Sequence, residues 1–246
     1  METLLILLYI ALFSALIIRF KQYYVAQVPV AMVLTAFLLK VVSGWSFYWL
    51  YKYYSFGGDS IQFVENSNYL SALFYTDTSA FFKILFGTDN SHEIFMHQEN
   101  MSLWFSFDPF YNDSQTLIRI NSLLNFVTGG FYFVNTVWFA FFAVAGLVAL
   151  LKIFNGIVGS RNICNVVFLL LPSCLFWISG VSKESWLIFL LGFFLFSFYR
   201  LVTDKFRTAF FVIAVLSGVG LLFIKVYYII AFLPALIAFG LSIKFK

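Results

Sequence analysis

From Phe131 to Ile153 the chain carries one charged residue, Lys152, among Phe, Trp, Val, Ala and Leu. A helix of that length spans the roughly 30 Å hydrocarbon core of a bilayer, and only a helix or a closed barrel satisfies its own backbone there. Comparable runs occur at Leu4–Ile18, Val28–Leu50, Ile163–Ser179, Trp186–Phe198, Ala209–Phe223 and Val226–Leu241. None shows the period-two alternation of a transmembrane strand. The expectation is an all-α, polytopic transmembrane bundle of about seven spans. The fifth and sixth runs are short for a full crossing and call for flanking residues or tilt. Composition agrees: 62% of residues are hydrophobic and 11% charged, against about 45–50% and about 25% in soluble domains. This excludes a soluble enzyme, a disordered chain and a nucleic-acid-binding domain, despite a pI near 9.0.

Lys and Arg collect on the cytoplasmic side of membrane proteins. Nine of the fifteen fall in alternate gaps: Arg19, Lys21, Lys152, Arg161, Arg200, Lys205, Arg207, Lys244 and Lys246. That pattern predicts a cytoplasmic C-terminus and an outer N-terminus. Three regions result: residues 1–50 with two spans, an extracytoplasmic loop over 51–130, and a five-helix region over 131–246.

The 51–130 loop holds eight of the eleven acidic residues, both histidines and Arg119. A connection this long implies a working segment with its own structure. Ile61, Val64, Leu70, Leu73 and Phe74 suggest an interfacial amphipathic helix. Asp113 and Ser114 can cap a second one over Thr116–Thr128, ending at Gly129-Gly130. On the second helix Gln115, Arg119 and Ser122 share one side. His92 and His97 lack the spacing of a helical metal pair and read as loop histidines. Cys164 and Cys174, ten residues apart on one predicted helix, are too far apart to bridge within it.

Two motifs concentrate polar chemistry. The first is Tyr53-Tyr54-Ser55-Phe56-Gly57-Gly58-Asp59-Ser60, where Gly57 and Gly58 permit a close turn and Asp59 is presented at the interface. Asp59 reads equally as a helix cap. The second is Leu171–Ser185, with Pro172 as a helix breaker and Lys183-Glu184 the only charges between Arg161 and Arg200. Charges at that depth mark a site or a pathway, or else snorkel to the headgroups. Lys40, within the second span, is either a polar-cavity residue or a snorkelling lysine. Lys225, in the turn after the sixth run, either joins Lys183 and Arg119 around an anion or anchors at the interface.

The alternation of sides brings Asp59, Arg119, Lys183, Glu184 and Lys225 to one membrane face. Cations there suit a lipid-borne phosphate, and a carboxylate suits deprotonation of a hydroxyl or retention of a divalent cation. The segments Tyr53–Phe63 and Leu171–Ser185 resemble those of bacterial GT-C-type membrane glycosyltransferases and polyprenyl-linked polysaccharide polymerases. The resemblance implies Asp59 as catalytic base or metal ligand and Lys183 on the phosphate. It also implies a polyprenyl-linked sugar donor and a glycan or lipid-linked acceptor, with membrane lipids as surroundings. On this reading Arg119 and Lys225 join Lys183 on the phosphate, Glu184 orients Lys183, and the cofactor is unassigned, a divalent cation at Asp59 being one form of the site. The alternative is a non-catalytic scaffold or glycolipid-transport subunit, with Asp59 a cap and Lys183-Glu184 a structural pair.

Overall fold

The computed structural model describes residues 1–20, 28–54, 58–88, 92–101, 113–157, 161–204 and 206–244. They are helical, with no strand among them. We number the helices α1 (Glu2–Arg19), α2 (Val30–Tyr54), α3 (Asp59–Thr76), α4 (Thr78–Phe86), α5 (His92–Glu99) and α6 (Asp113–Thr128). They continue with α7 (Tyr132–Ile157), α8 (Arg161–Leu170), α9 (Pro172–Trp177), α10 (Lys183–Thr203) and α11 (Thr208–Lys244). Five of them, α1, α2, α7, α10 and α11, are long and apolar enough to cross a bilayer. The chain is an integral membrane protein.

Helix α7 is the central post, with α1, α2 and α10 packed around it. Phe13 stacks on Phe141 at 4.3 Å, and Gly44 of α2 abuts Thr136. Gly146 of α7 meets the backbone of Ile188 and Phe189, while Gly192 of α10 meets Gly146 in return. Small residues at such a crossing let two helix backbones approach closely, which van der Waals packing in lipid requires.

The run Ile163–Ser179 is not one helix. Pro172 has no N–H to donate and its ring opposes the preceding turn, so the run breaks into α8 and the six-residue α9. Phe168 of α8 packs on Phe154 near the end of α7, and Asn155 donates to Asn165 at 3.1 Å. Trp177, at the end of α9, packs on Phe47 instead. The broken pair therefore joins opposite ends of the bundle, although neither piece is long enough to do so alone.

The last two apolar runs are merged in α11, whose only non-helical residue is Lys225 (φ −157, ψ 87). In a straight helix Phe210 and Phe239 would stand about 43 Å apart. Instead Phe210 lies 6.0 Å from Phe196 and Phe239 lies 6.0 Å from Tyr199, ring to ring. Phe196 and Tyr199 are one turn apart on α10, so α11 doubles back at Lys225 and lays both arms along α10.

Helices α3 to α6 form a cap over one end of the bundle. α3 and α6 run parallel, with Ser67 taking hydrogen bonds from Asn121 and Asn125, and Phe74 packing on Phe126. Asn135 of α7 donates to Asn125 at 2.9 Å and Asn121 at 3.2 Å, pinning the cap to the post. Val64, Leu70 and Leu73 of α3 are buried in this core. The apolar face of α3 is thus spent on the protein and not on lipid, because α4, α6 and α7 cover it. On α6 Leu117 is fully buried and Val127 is exposed, while Gln115 and Ser122 of the polar side are buried as well.

Candidate functional site

The site is built on one stripe of α2. Lys40, Gly44, Phe47 and Tyr51 follow at intervals of four, three and four, so they share a face. Lys40 is fully buried and its ammonium donates to Cys174 O at 2.6 Å and Ile178 O at 3.0 Å. These are carbonyls of the last turn of α9 and its exit, which the broken helix leaves without intrahelical donors. Lys40 therefore neither snorkels nor lines a cavity; it fastens the segment that follows Pro172.

One turn along, Gly44 lets the backbone of Gly180 lie directly on α2. Gly180 itself has φ +74, a conformation that disfavours other residues, and Ser185 Oγ donates to its carbonyl at 3.2 Å. Ser182 then caps α10 by accepting from the Ser185 amide. The second motif thus delivers Lys183 and Glu184 to the first turn of α10 at a fixed height, beside Phe47 and Tyr51.

An open cleft of about 520 Å³ lies there. Its walls are Phe47 and Tyr51 of α2, the first turn of α3 from Gly58 to Phe63, and Asp113 of α6. Trp177, the Val181–Glu184 segment and Lys225 complete it. Gly58 packs against the Tyr51 ring so closely that a Cβ would fall on it. Gly57 lies outside the described residues.

The charges are arranged in pairs with one exception. Lys183 Nζ contacts Asp113 Oδ1 at 2.8 Å and lies 5.5 Å from the Phe63 ring centre. Lys225 Nζ contacts Glu184 Oε1 at 3.1 Å. Asp59 is exposed on the cleft wall and makes no ion pair among the described residues. Glu184 therefore does not orient Lys183: adjacent helical residues diverge by about 100°, and each finds a partner on another element. Asp113, read from sequence only as a cap, is the partner of Lys183. Its place at the start of a predicted helix gave no sign of that contact, which spans helices α6 and α10.

Arg119 is not in the cleft. Its Nε donates to Ile84 O at 3.0 Å, and its guanidinium lies beside Gly87, the left-handed cap of α4. It ties the last turn of α4 to α6, where a cation also suits the helix dipole, and burial lowers its pKa from the usual arginine value. Replacing Arg119 with alanine is expected to lower stability by about 1–2 kcal/mol while leaving cleft function intact at permissive temperature. Thermal unfolding in detergent, run beside a functional assay, checks both halves.

His97 accepts or donates with Tyr69 OH at 3.1 Å on the far side of the cap, and the side chain of His92 lies outside the described residues. Among the described residues no three His, Cys, Asp or Glu side chains converge as a metal site. Cys164 and Cys174 are both unpaired.

Three helix N-termini, those of α3, α6 and α10, open onto the cleft. Each contributes the equivalent of about +0.5 charge through its helix dipole. Together with two ammonium groups they offset the three carboxylates, leaving a site that accommodates an anion once a lysine exchanges partners. The aromatic Tyr51 and Trp177 supply flat apolar faces on the rim. No known protein family, curated protein or solved structure matches the chain.

Proposed function

We propose that the protein is a membrane glycosyltransferase of surface-glycan assembly, moving a sugar from a polyprenyl-phosphate-linked donor onto a glycan or lipid-linked acceptor. The observation that carries this reading is the meeting of two lysines and three helix N-termini in one open cleft with Asp59, a carboxylate that makes no ion pair among the described residues. The phosphate of the donor sits against Lys183 and Lys225. Asp59 takes the proton of the acceptor hydroxyl as that oxygen bonds the anomeric carbon. The carbon–oxygen bond to phosphate breaks, and its electron pair passes to the phosphate, where the lysines and helix ends stabilise it. On this reading the cleft faces the extracytoplasmic side of a bacterial inner membrane, with the N-terminus outside and the C-terminus in the cytoplasm, an orientation that the charge bias of the connections supports. In the same arrangement α1, α2, α7, the α8–α9 pair, α10 and the two arms of α11 make seven crossings, beyond the five helices that are each long and apolar enough to span.

A scaffold or glycolipid-transport subunit is the second reading, favoured by one observation: both lysines already have carboxylate partners. Cells lacking the native protein, rescued at matched membrane expression with wild type, Asp59→Asn or Lys183→Ala, separate the two. Transfer chemistry predicts loss of glycan in both variants, roughly 10²-fold or more for Asp59→Asn, with lipid-linked precursor accumulating. Full rescue by both variants would favour the scaffold.

A further inference from the structure

Two hydrogen bonds fix how deep the cap sits. Tyr9 OH donates to Val127 O at 2.7 Å, and Trp45 Nε1 donates to Phe133 O at 3.2 Å. Tyr9 is about 10 Å along α1 from Glu2, and Trp45 about 13 Å along α2 from Tyr54. The corner between α6 and α7 is therefore held below the cap-side ends of two membrane-spanning helices, even allowing several Å for side chains that lean along the axis. The other end of α6 is low as well, since Asp113 shares the cleft with Phe47 and Tyr51.

At this depth the cap presents an apolar rim. Tyr75 is 78% exposed, Phe82 45%, Phe86 70%, Leu123 50%, Phe126 41% and Val127 50%. The rim is continuous: Phe74 lies 5.4 Å from Tyr75, 6.3 Å from Phe82 and 5.2 Å from Phe126, and Phe82 stacks on Phe86 at 6.3 Å. Leu123, Phe126 and Val127 share one face of α6 at spacings of three and four. A contiguous apolar surface of this kind marks an interaction site. Its level beside the spans selects the occupant.

We infer that this rim is seated in the lipid of the near leaflet, so that the cap is a half-sunken platform and not a domain projecting into water. Aromatic side chains at the headgroup boundary and aliphatic ones just beneath it are what such a seat requires. The inference rests on depth and exposure and is independent of the reaction assigned to the cleft.

Spin labels at Phe82→Cys, Leu123→Cys and Phe126→Cys, each in a Cys164→Ser, Cys174→Ser background in lipid nanodiscs, test it through collision rates with oxygen and with a water-soluble nickel chelate. The expected result is an oxygen-to-nickel ratio at all three positions well above that at Glu99 and below that of a label at Leu216, an exposed residue midway along the first arm of α11. A ratio like that of Glu99 overturns the inference by placing the rim in water. Exclusion of both reagents overturns it by placing a protein partner there. Because Cys164 is buried and its replacement can disturb folding, unmodified protein in phosphatidylcholine vesicles with a diazirine on the acyl chain gives a second reading. Labelling of peptides covering 74–86 and 121–127 supports the seat, and absence of label from both, with α11 labelled, refutes it.

Discussion

Gly44→Val is expected to cost about 3 kcal/mol or more and to abolish function together with folding. A Cβ at position 44 would fall on Thr136 Cγ2 and lie 2.6 Å from the Gly180 amide nitrogen. The first obstacle is the central post, and the second is the backbone of the turn that carries Lys183. Neither is the movable end of a flexible side chain, so relief requires separating α2 from α7 or lifting the turn off α2. Gly240→Ala is the matched control, since a Cβ there meets nothing within 4 Å. Unfolding of the two variants in the same detergent, followed by size-exclusion fluorescence, should show a large loss for the first and almost none for the second. Equal behaviour would mean that the α2–Gly180 contact does not set the height of the site.

The second large effect concerns affinity. A charge-assisted hydrogen bond from lysine to phosphate is worth about 1.5–3 kcal/mol, but Lys183 and Lys225 each surrender a carboxylate to make one. The net gain is smaller, near 1–1.5 kcal/mol per lysine, so Lys183→Ala with Lys225→Ala should weaken binding of a polyprenyl phosphate by about 30- to 150-fold. The sign of a companion variant is more telling. Asp113→Asn leaves Lys183 in place, removes its competitor and reduces the negative charge of the cleft, so binding should tighten. Native mass spectrometry of the purified protein with polyprenyl phosphate measures both. Weaker binding by Asp113→Asn would show that Asp113 serves the ligand directly and that the exchange of partners is wrong.

What was legible in the sequence was set by local chemistry. An uncharged run such as Phe131–Ile153 can only be a membrane helix, and Tyr132–Ile157 is one. Pro172 signalled a break and supplied one, and a helix does start at the Gly-Gly-Asp motif, but Gly58 takes the N-cap position, Asp59 is the first helical residue and no side chain caps that end. Contacts between distant segments were not legible. The sequence cannot choose between cavity and interface for Lys40, because its acceptors are backbone carbonyls more than 130 residues away, which no side-chain pattern records. Arg119 was given a side of its helix, yet periodicity cannot say what that side meets, and it meets Ile84 O. Lys183 and Glu184 looked like a pair because they are neighbours, whereas helical geometry points neighbours apart and pairs them with Asp113 and Lys225. The surface helix read into Ile61–Phe74 failed for a related reason, since an apolar stripe packs equally well on lipid or on protein and α6 reaches it first.

The central claim is that the cleft between α2, α3, α6 and α10 receives a lipid-borne phosphate. Its most direct test is a photoreactive amino acid in place of Trp177, which stands 57% exposed on the cleft rim, irradiated in cells making the glycan, with Leu216 as a lipid-facing control. The account predicts an adduct of polyprenyl-phosphate-linked sugar at position 177, absent at 216 and lost in the Lys183→Ala, Lys225→Ala background. Adducts with bulk phospholipid alone, or the same products at both positions, would contradict it.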